Sequence, residues 1–177
     1  MNLRIQQCSL VHLDELVKSS KTTFIEAFEK DNNPEDFKNY IDFAFDKERL
    51  SGELKNTDSS FYFVYNDTVL VGYFKLNENN AQTDIKENDS LELERIYVLQ
   101  KFQGNKIGEW MLGQIIGLAM KMNKSYIWLG VWEHNGKAIK FYQRKGFSKF
   151  DTHPYHIGKD KQTDWLMRFD LINFNNN

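Results

Sequence analysis

The stretch "KFQGNKIGEWML", Lys101 to Leu112, sets Gly104 and Gly108 among polar residues where a strand-like run gives way to a helix-like one. Glycine lets a ligand approach the backbone closely. The first amides of a helix lack an internal acceptor, and with the helix dipole behind them they favour an anion such as a pyrophosphate. No Gly-Lys-Ser/Thr follows, as a Walker loop would need, and the dinucleotide pattern G-x-G-x-x-G is missing. Taken alone, such a stretch is more often an ordinary strand-to-helix turn than a phosphate site.

Two further stretches carry chemistry-bearing residues. In "NGKAIKFYQRKGF", Asn135 to Phe147, Asn135 is a helix cap, and Ala138, Ile139, Phe141 and Tyr142 set small and aromatic groups along the helix before Gly146 ends it. Phe141 reads as a core aromatic. In "LELERIYV" the apolar parity slips: Leu91 and Leu93 share one face, whereas Ile96 and Val98 fall on the other. Either the strand is buried on both faces, or a β-bulge inserts one residue and re-aims Glu94.

The elements that must position these residues alternate along the chain. "LRIQQC" reads as a strand, and Ser9 with "LVHLDELVKSSKTTFIEAF" as a helix with Leu13, Leu16, Val17, Phe24 and Phe28 apolar. Asn33-Pro34 opens a second helix carrying Phe37, Ile41 and Phe45, and "KERLSGEL" a short third. "SFYFVYNDTVLVGYFKL" is two strands about an Asn66-Asp67 turn, followed by the polar loop "NENNAQTDIKEND". "LELERIYVL" is a strand, Gly104 to about Met122 a helix, "SYIWLGVW" a strand and Gly136 to Lys145 a helix. Two last strands are expected near Phe147–Ile157 and Thr163–Leu171. The class is α/β (α+β) with a mixed sheet, in one domain over residues 1–177 with a disordered tail from about 172.

Composition narrows the function classes. With 41% hydrophobic and 15% aromatic residues the chain is globular. Cys8 is the lone cysteine, so neither an internal disulfide nor a cysteine zinc cage can form, and a cytoplasmic setting is expected. No 18-residue apolar run predicts a membrane span, and "MNLRIQQCSL" lacks the apolar core of a signal peptide. The spacing of His134, His153 and His156 fits no zinc motif, so no metal is expected. Charge is uneven. Residues 26–48 and 78–94 are each net −5, whereas 95–177 carry thirteen Lys/Arg against six acids. Against a whole-chain charge of −2, this gives no dominant basic patch for nucleic acid.

"IYVLQKFQGNKIG", joined at a fixed spacing to "VWEHNGKAIKFYQRKGF" and preceded by "LRIQQCSLVHLDEL", resembles the GCN5-related N-acetyltransferase (GNAT) family over nearly the whole chain. "LELERIYV", "IWLGVWEHN" and "QTDWLM" are most similar to its bacterial spermidine/spermine acetyltransferases of the PaiA type. The resemblance implies the GNAT fold: a mixed, mostly antiparallel central sheet of about six to seven strands with flanking helices. It implies acetyl-CoA as co-substrate, bound by Ile96, Tyr97, Val98, Gln103, Gly104, Asn105, Lys106, Ile107, Gly108, Glu109, Asn135 and Tyr142. The family's phosphate loop is usually Gln/Arg-x-x-Gly-x-Gly/Ala. Gln103 and Gly108 match it, but Lys106 stands at the middle glycine.

Direct transfer to an amine then needs an oxyanion donor, expected at the Val98 amide, and a base, expected at Glu94 with Glu92 behind it. It also needs a proton for the departing thiolate, expected from Tyr142, whose phenol has an ordinary pKa of about 10. Glu92 itself reads as outward-facing, Trp128 and Trp132 as core, and Cys8 as no nucleophile. The family's early helices wall the acceptor pocket, so the acidic segments 26–48 and 78–94 point to a cationic acceptor, a polyamine such as spermidine or spermine, met by a monomer or homodimer. A protein lysine, a small aminated metabolite, or a cofactor-binding sensor without turnover stays open.

Overall fold

The chain runs β1 (Leu3–Gln7), α1 (Leu13–Phe28), α2 (Pro34–Ala44), α3 (Lys47–Lys55), β2 (Ser59–Asn66), β3 (Val69–Asn77), β4 (Ser90–Val98), α4 (Ile107–Lys121), β5 (Tyr126–Trp132), α5 (Gly136–Arg144), β6 (Ser148–Ile157) and β7 (Asp160–Asp170). This computed structural model describes residues 1–157 and 160–171. The expected tail from 172 and the side chain of His156 lie outside them.

Helix starts follow from short polar side chains that satisfy free amides. Asn33 Oδ1 accepts from the amides of Glu35 and Asp36 at 3.0 and 3.2 Å, with Pro34 as the first residue of α2. Asp46 Oδ2 accepts from Glu48 and Arg49 at 2.9 and 3.2 Å, which opens α3. Asn135 Oδ1 accepts from Ala138 at 3.1 Å and opens α5. Among the described residues no helix is long and apolar enough to cross a membrane.

The sheet has seven strands in the order β1-β2-β3-β4-β5-β7-β6, with β4–β5 its parallel pair and the other neighbours antiparallel. Two apolar layers cover it. One joins Ile107, Met111, Leu112 and Ile115 of α4 and Ile139 and Tyr142 of α5 to Phe74, Leu76, Leu91, Leu93, Ile127 and Leu129. The other joins Leu16, Phe24, Phe37, Ile41 and Leu50 of α1–α3 to Phe61, Phe63 and Tyr73. Helices thus lie on both faces, as period-3.6 apolar stripes around a two-sided sheet require.

Two irregularities of this sheet make the site. Between β3 and β4, Lys75 pairs with Arg95 but the neighbouring Leu76 pairs with Leu93, so Glu94 is the extra residue of a bulge in β4. The parity slip in the sequence therefore has its cause in the bulge, not in two-faced burial. Next to it, the parallel register of β4 with β5 runs from Ser90↔Tyr126 to Glu92↔Trp128 and stops there. Beyond that point the two strands part, and the gap opens on both faces of the sheet.

Candidate active site

The bulge gathers charge on the face covered by α1–α3. Glu94 Oε2 meets Lys75 Nζ at 2.5 Å and accepts from Asn77 Nδ2 at 2.6 Å, while Glu94 Oε1 lies 3.0 Å from an Arg95 guanidinium nitrogen. Lys75 also contacts Glu53 at 2.9 Å. Burial alone would raise the Glu94 pKa, but Arg95 and Lys75, with hydrogen bonds from Lys75 and Asn77, outweigh it and hold the carboxyl at about 2. Arg95 itself stacks near the Phe45 and Phe61 rings.

Glu92 corrects the sequence expectation of an outward-facing strand residue. It is 3% exposed. Pairing with Trp128 turns it under the 78–89 loop, where Thr83 Oγ1 donates to it at 2.6 Å and the Thr83 amide and Asn77 Nδ2 at 2.9 Å each. Burial, then the nearby Glu94, raises its pKa. Trp128 is core, as expected, and its indole donates to Gln82 Oε1 at 2.7 Å.

On the opposite face the 103–108 loop rests on the end of β4. Gln103 Nε2 donates to the Val98 carbonyl at 3.1 Å, and a Cβ on Gly108 would have Val98 Cγ2 as its near neighbour at 4.0 Å. The amides of residues 104–109 find no acceptor among the described residues, and the first helical bond runs from Trp110 to Lys106. Gly104 has φ +84° and Lys106 φ 59°. The family's middle glycine thus marks a left-handed backbone position, which a lysine holds here at roughly 1 kcal/mol of strain. The open amides at the start of a 15-residue helix, with Lys106 as its N-cap residue, have the chemistry of an anion site. Glu109 is tied instead to Lys145, at 2.5 Å.

The gap between β4 and β5 is a cleft of about 490 Å³ in the middle of the sheet. Ile96, Tyr97, Asn135, Ala138 and Tyr142 line it, together with Glu92 and Glu94. Tyr142 is 8% exposed, its hydroxyl makes no hydrogen bond among the described residues, and burial pushes its phenol up. Gly104 to Gly108 lie outside this cleft. Cys8 is absent from the lining, and burial raises its thiol to about 12.

The lining of the cleft departs from expectation for one of the two acidic segments. Residues 26–48 contribute Phe28, Asn32, Tyr40, Phe43, Ala44 and Phe45 to the lining, and none of their acids. The carboxylates that do line it are Asp84, Glu92, Glu94 and Asp164, against the guanidiniums of Arg49 and Arg95. Asp84 Oδ1 pairs with His153 Nδ1 at 2.9 Å. Asp84, like Glu92 and Glu94, comes from the acidic segment 78–94, and Asp164 from the "QTDWLM" strand; the β5–β7 register that turns Asp164 inward is invisible in a single chain. Among the described residues no cluster of His, Cys, Asp or Glu could hold a metal ion.

Residues 13–147 match the model of the acetyltransferase (GNAT) family, and the chain belongs to that family. An "uncharacterized N-acetyltransferase in pepI 3'region" of Lactobacillus delbrueckii subsp. lactis is 36% identical over 96% of this chain and 98% of its own length. Among solved structures, the PaiA N-acetyltransferase of Thermoplasma acidophilum with coenzyme A superposes with TM-score 0.78 at 22% identity, covering 96% of this chain and 99% of that one. Spermidine N-acetyltransferase of Vibrio cholerae, with CoA and spermine, gives 0.75 at 18%, covering 99% of both. The protein is an acetyl-CoA-dependent N-acetyltransferase, with the seven-stranded mixed sheet of that fold.

Proposed function

We propose that this acetyltransferase modifies a primary amine of a small polycation, of the spermidine or spermine class. The observation that carries the reading is the lining of the acceptor end: four carboxylates against two guanidiniums, set among Phe28, Tyr40, Phe43, Phe45 and Trp132. Carboxylates and aromatic faces both attract alkylammonium groups, and the aromatic walls also accept the methylene spacers. The relatives named for spermidine and PaiA add support at the level of the fold.

In this reading the thioester lies in the gap between β4 and β5, its carbonyl toward the Val98 amide. The amine attacks directly, and Tyr142 gives its proton to the departing thiolate. Burial that raises the phenol raises a thiolate formed beside it as well, so the transfer stays near balance. Glu94, held at about 2, is a weak proton acceptor; its part is to keep a fixed negative charge near the amine. Asn135, which spends Oδ1 on the α5 cap, keeps its amide NH₂ for the pantetheine arm. Thiol release from acetyl-CoA with spermidine, spermine, a monoamine and a lysine peptide tests the proposal. Spermidine or spermine should give the highest kcat/KM; a lysine peptide or monoamine that matches them defeats the assignment.

A further inference from the structure

Four carboxylates line the acceptor end, and three are already engaged. Both oxygens of Glu92 accept from Thr83, with Asn77 as a further donor to one of them; both oxygens of Glu94 face Lys75, Arg95 or Asn77; Asp84 pairs with His153. Asp164 differs from them. Its carboxylate accepts no hydrogen bond and joins no ion pair among the described residues, yet it is half-buried in the same cleft as Tyr142 and Asn135. Its place follows from the sheet: Asp164 pairs with Trp132 across β5–β7, and the side-chain-free Gly130 gives it room to lean inward. A Cβ at Gly130 would lie 3.4 Å from Asp164 Oδ2. Asp164, Gly130 and Glu92 share one face of the sheet, opposite the α4–α5 layer.

We propose that the Asp164 carboxylate takes the proton from the acceptor's ammonium. This rests on the amine-acceptor reading above. The ammonium gives one proton to Asp164 and becomes a neutral amine. Its lone pair forms the N–C bond at the thioester carbonyl carbon while the carbonyl π pair moves to oxygen. When the tetrahedral intermediate collapses, the C–S bond breaks, sulfur leaves with the pair and takes the Tyr142 proton, and the second N–H proton of the new amide returns to the tyrosinate through water. Asp164 then releases its proton to solvent, and both groups are restored.

The surroundings tune Asp164 for this task. Burial raises its pKa to about 6, with Asp84 and Glu133 adding to the rise and His153 opposing it. A base near the working pH both stays ionised and accepts a proton without a large penalty, which a carboxyl held at about 2 cannot do.

The experiment compares wild type and Asp164→Asn, a change that preserves shape, with spermidine as acceptor. The expected result is a loss in kcat/KM on the order of 10²-fold at neutral pH, with acetyl-CoA affinity by calorimetry unchanged. The wild-type acidic limb, where activity falls as pH drops through about 6, should vanish in the variant. The defect should shrink as pH rises toward the amine's own pKa, and also with an acceptor amine of low basicity, because such an amine arrives neutral. A variant that keeps the rate and the acidic limb, or one equally impaired with both kinds of amine, overturns the role of Asp164. Failure of wild type to acetylate any amine overturns the acceptor reading itself, and this inference with it.

Discussion

Glu94 shows how a residue can be found by sequence while the groups that set its charge stay hidden. The parity slip located it, but the two cations that hold it come from β3 and from its own neighbour, and nothing in the spacing announces Lys75. Removing that charge leaves Lys75 and Arg95 buried with too few partners, so Glu94→Gln should cost about 3–5 kcal/mol in urea unfolding. The pH dependence has a definite sign. The folded pKa of about 2 lies below the ordinary 4.5, so the carboxylate's contribution is complete above about 4.5 and lost as pH falls toward 2. Wild type should lose stability across that window more steeply than the variant. An equal slope would mean that solvent screens the pairs. Tyr142→Phe deletes one hydroxyl that bonds to no described residue, so packing should hold while turnover drops on the order of 10²-fold at unchanged acetyl-CoA affinity. Unaltered turnover at saturating substrates would reduce Tyr142 to a core aromatic.

At the scale of elements, most of the local structure around the proposed cofactor loop was legible. Asn33-Pro34, Asn135 and the Asn66-Asp67 turn signal themselves by local chemistry, and the described helices and strands follow their apolar periods. Boundaries shifted where tertiary geometry decides: the helix expected from Gly104 begins at Ile107, because Gly104 and Lys106 take left-handed backbone first. The acceptor end was less legible, since Asp164 and Glu92 enter the cleft through strand register, a non-local property. Gly108 offers a clean test of the proposed cofactor loop. Its position has open space for a side chain, so Gly108→Val should fold normally yet weaken acetyl-CoA binding by crowding the amides. Calorimetry showing full affinity in the folded variant would remove the loop from the site. Gly72 is the contrasting case. A Cβ there would lie 2.3 Å from the Tyr97 carbonyl oxygen, so Gly72→Ala should force β3 from β4 beside the bulge and lower stability by roughly 1–3 kcal/mol, read as a fall in the urea midpoint.

Across the whole molecule, charge is divided by distance as well as by sequence. The acids of residues 26–48 stay out of the cleft lining, where several cap or pair with neighbours: Asp42 with Lys38 and Lys21, Asp46 with the α3 amides. On the polyamine reading proposed above, these exposed charges would act on the approaching acceptor through the solvent, over a range that salt cuts to about 10 Å at 0.1 M. Asp84, Glu92, Glu94 and Asp164 line the cleft and on the same reading would act at contact, where salt screens much less. The two sets should separate in one experiment. With spermidine and a monoamine of similar length, kcat/KM should favour spermidine most strongly at low ionic strength, because outer acids speed its encounter and the inner ones hold its distal ammonium. Raising salt to about 0.5 M, where the screening length is well under 10 Å, should remove the first part and leave a residual preference from the second. Neutralising the surface acids Glu35 and Asp36 should lower the salt-sensitive part alone. Equal kcat/KM for the two amines at every ionic strength would show that neither set of carboxylates selects the acceptor.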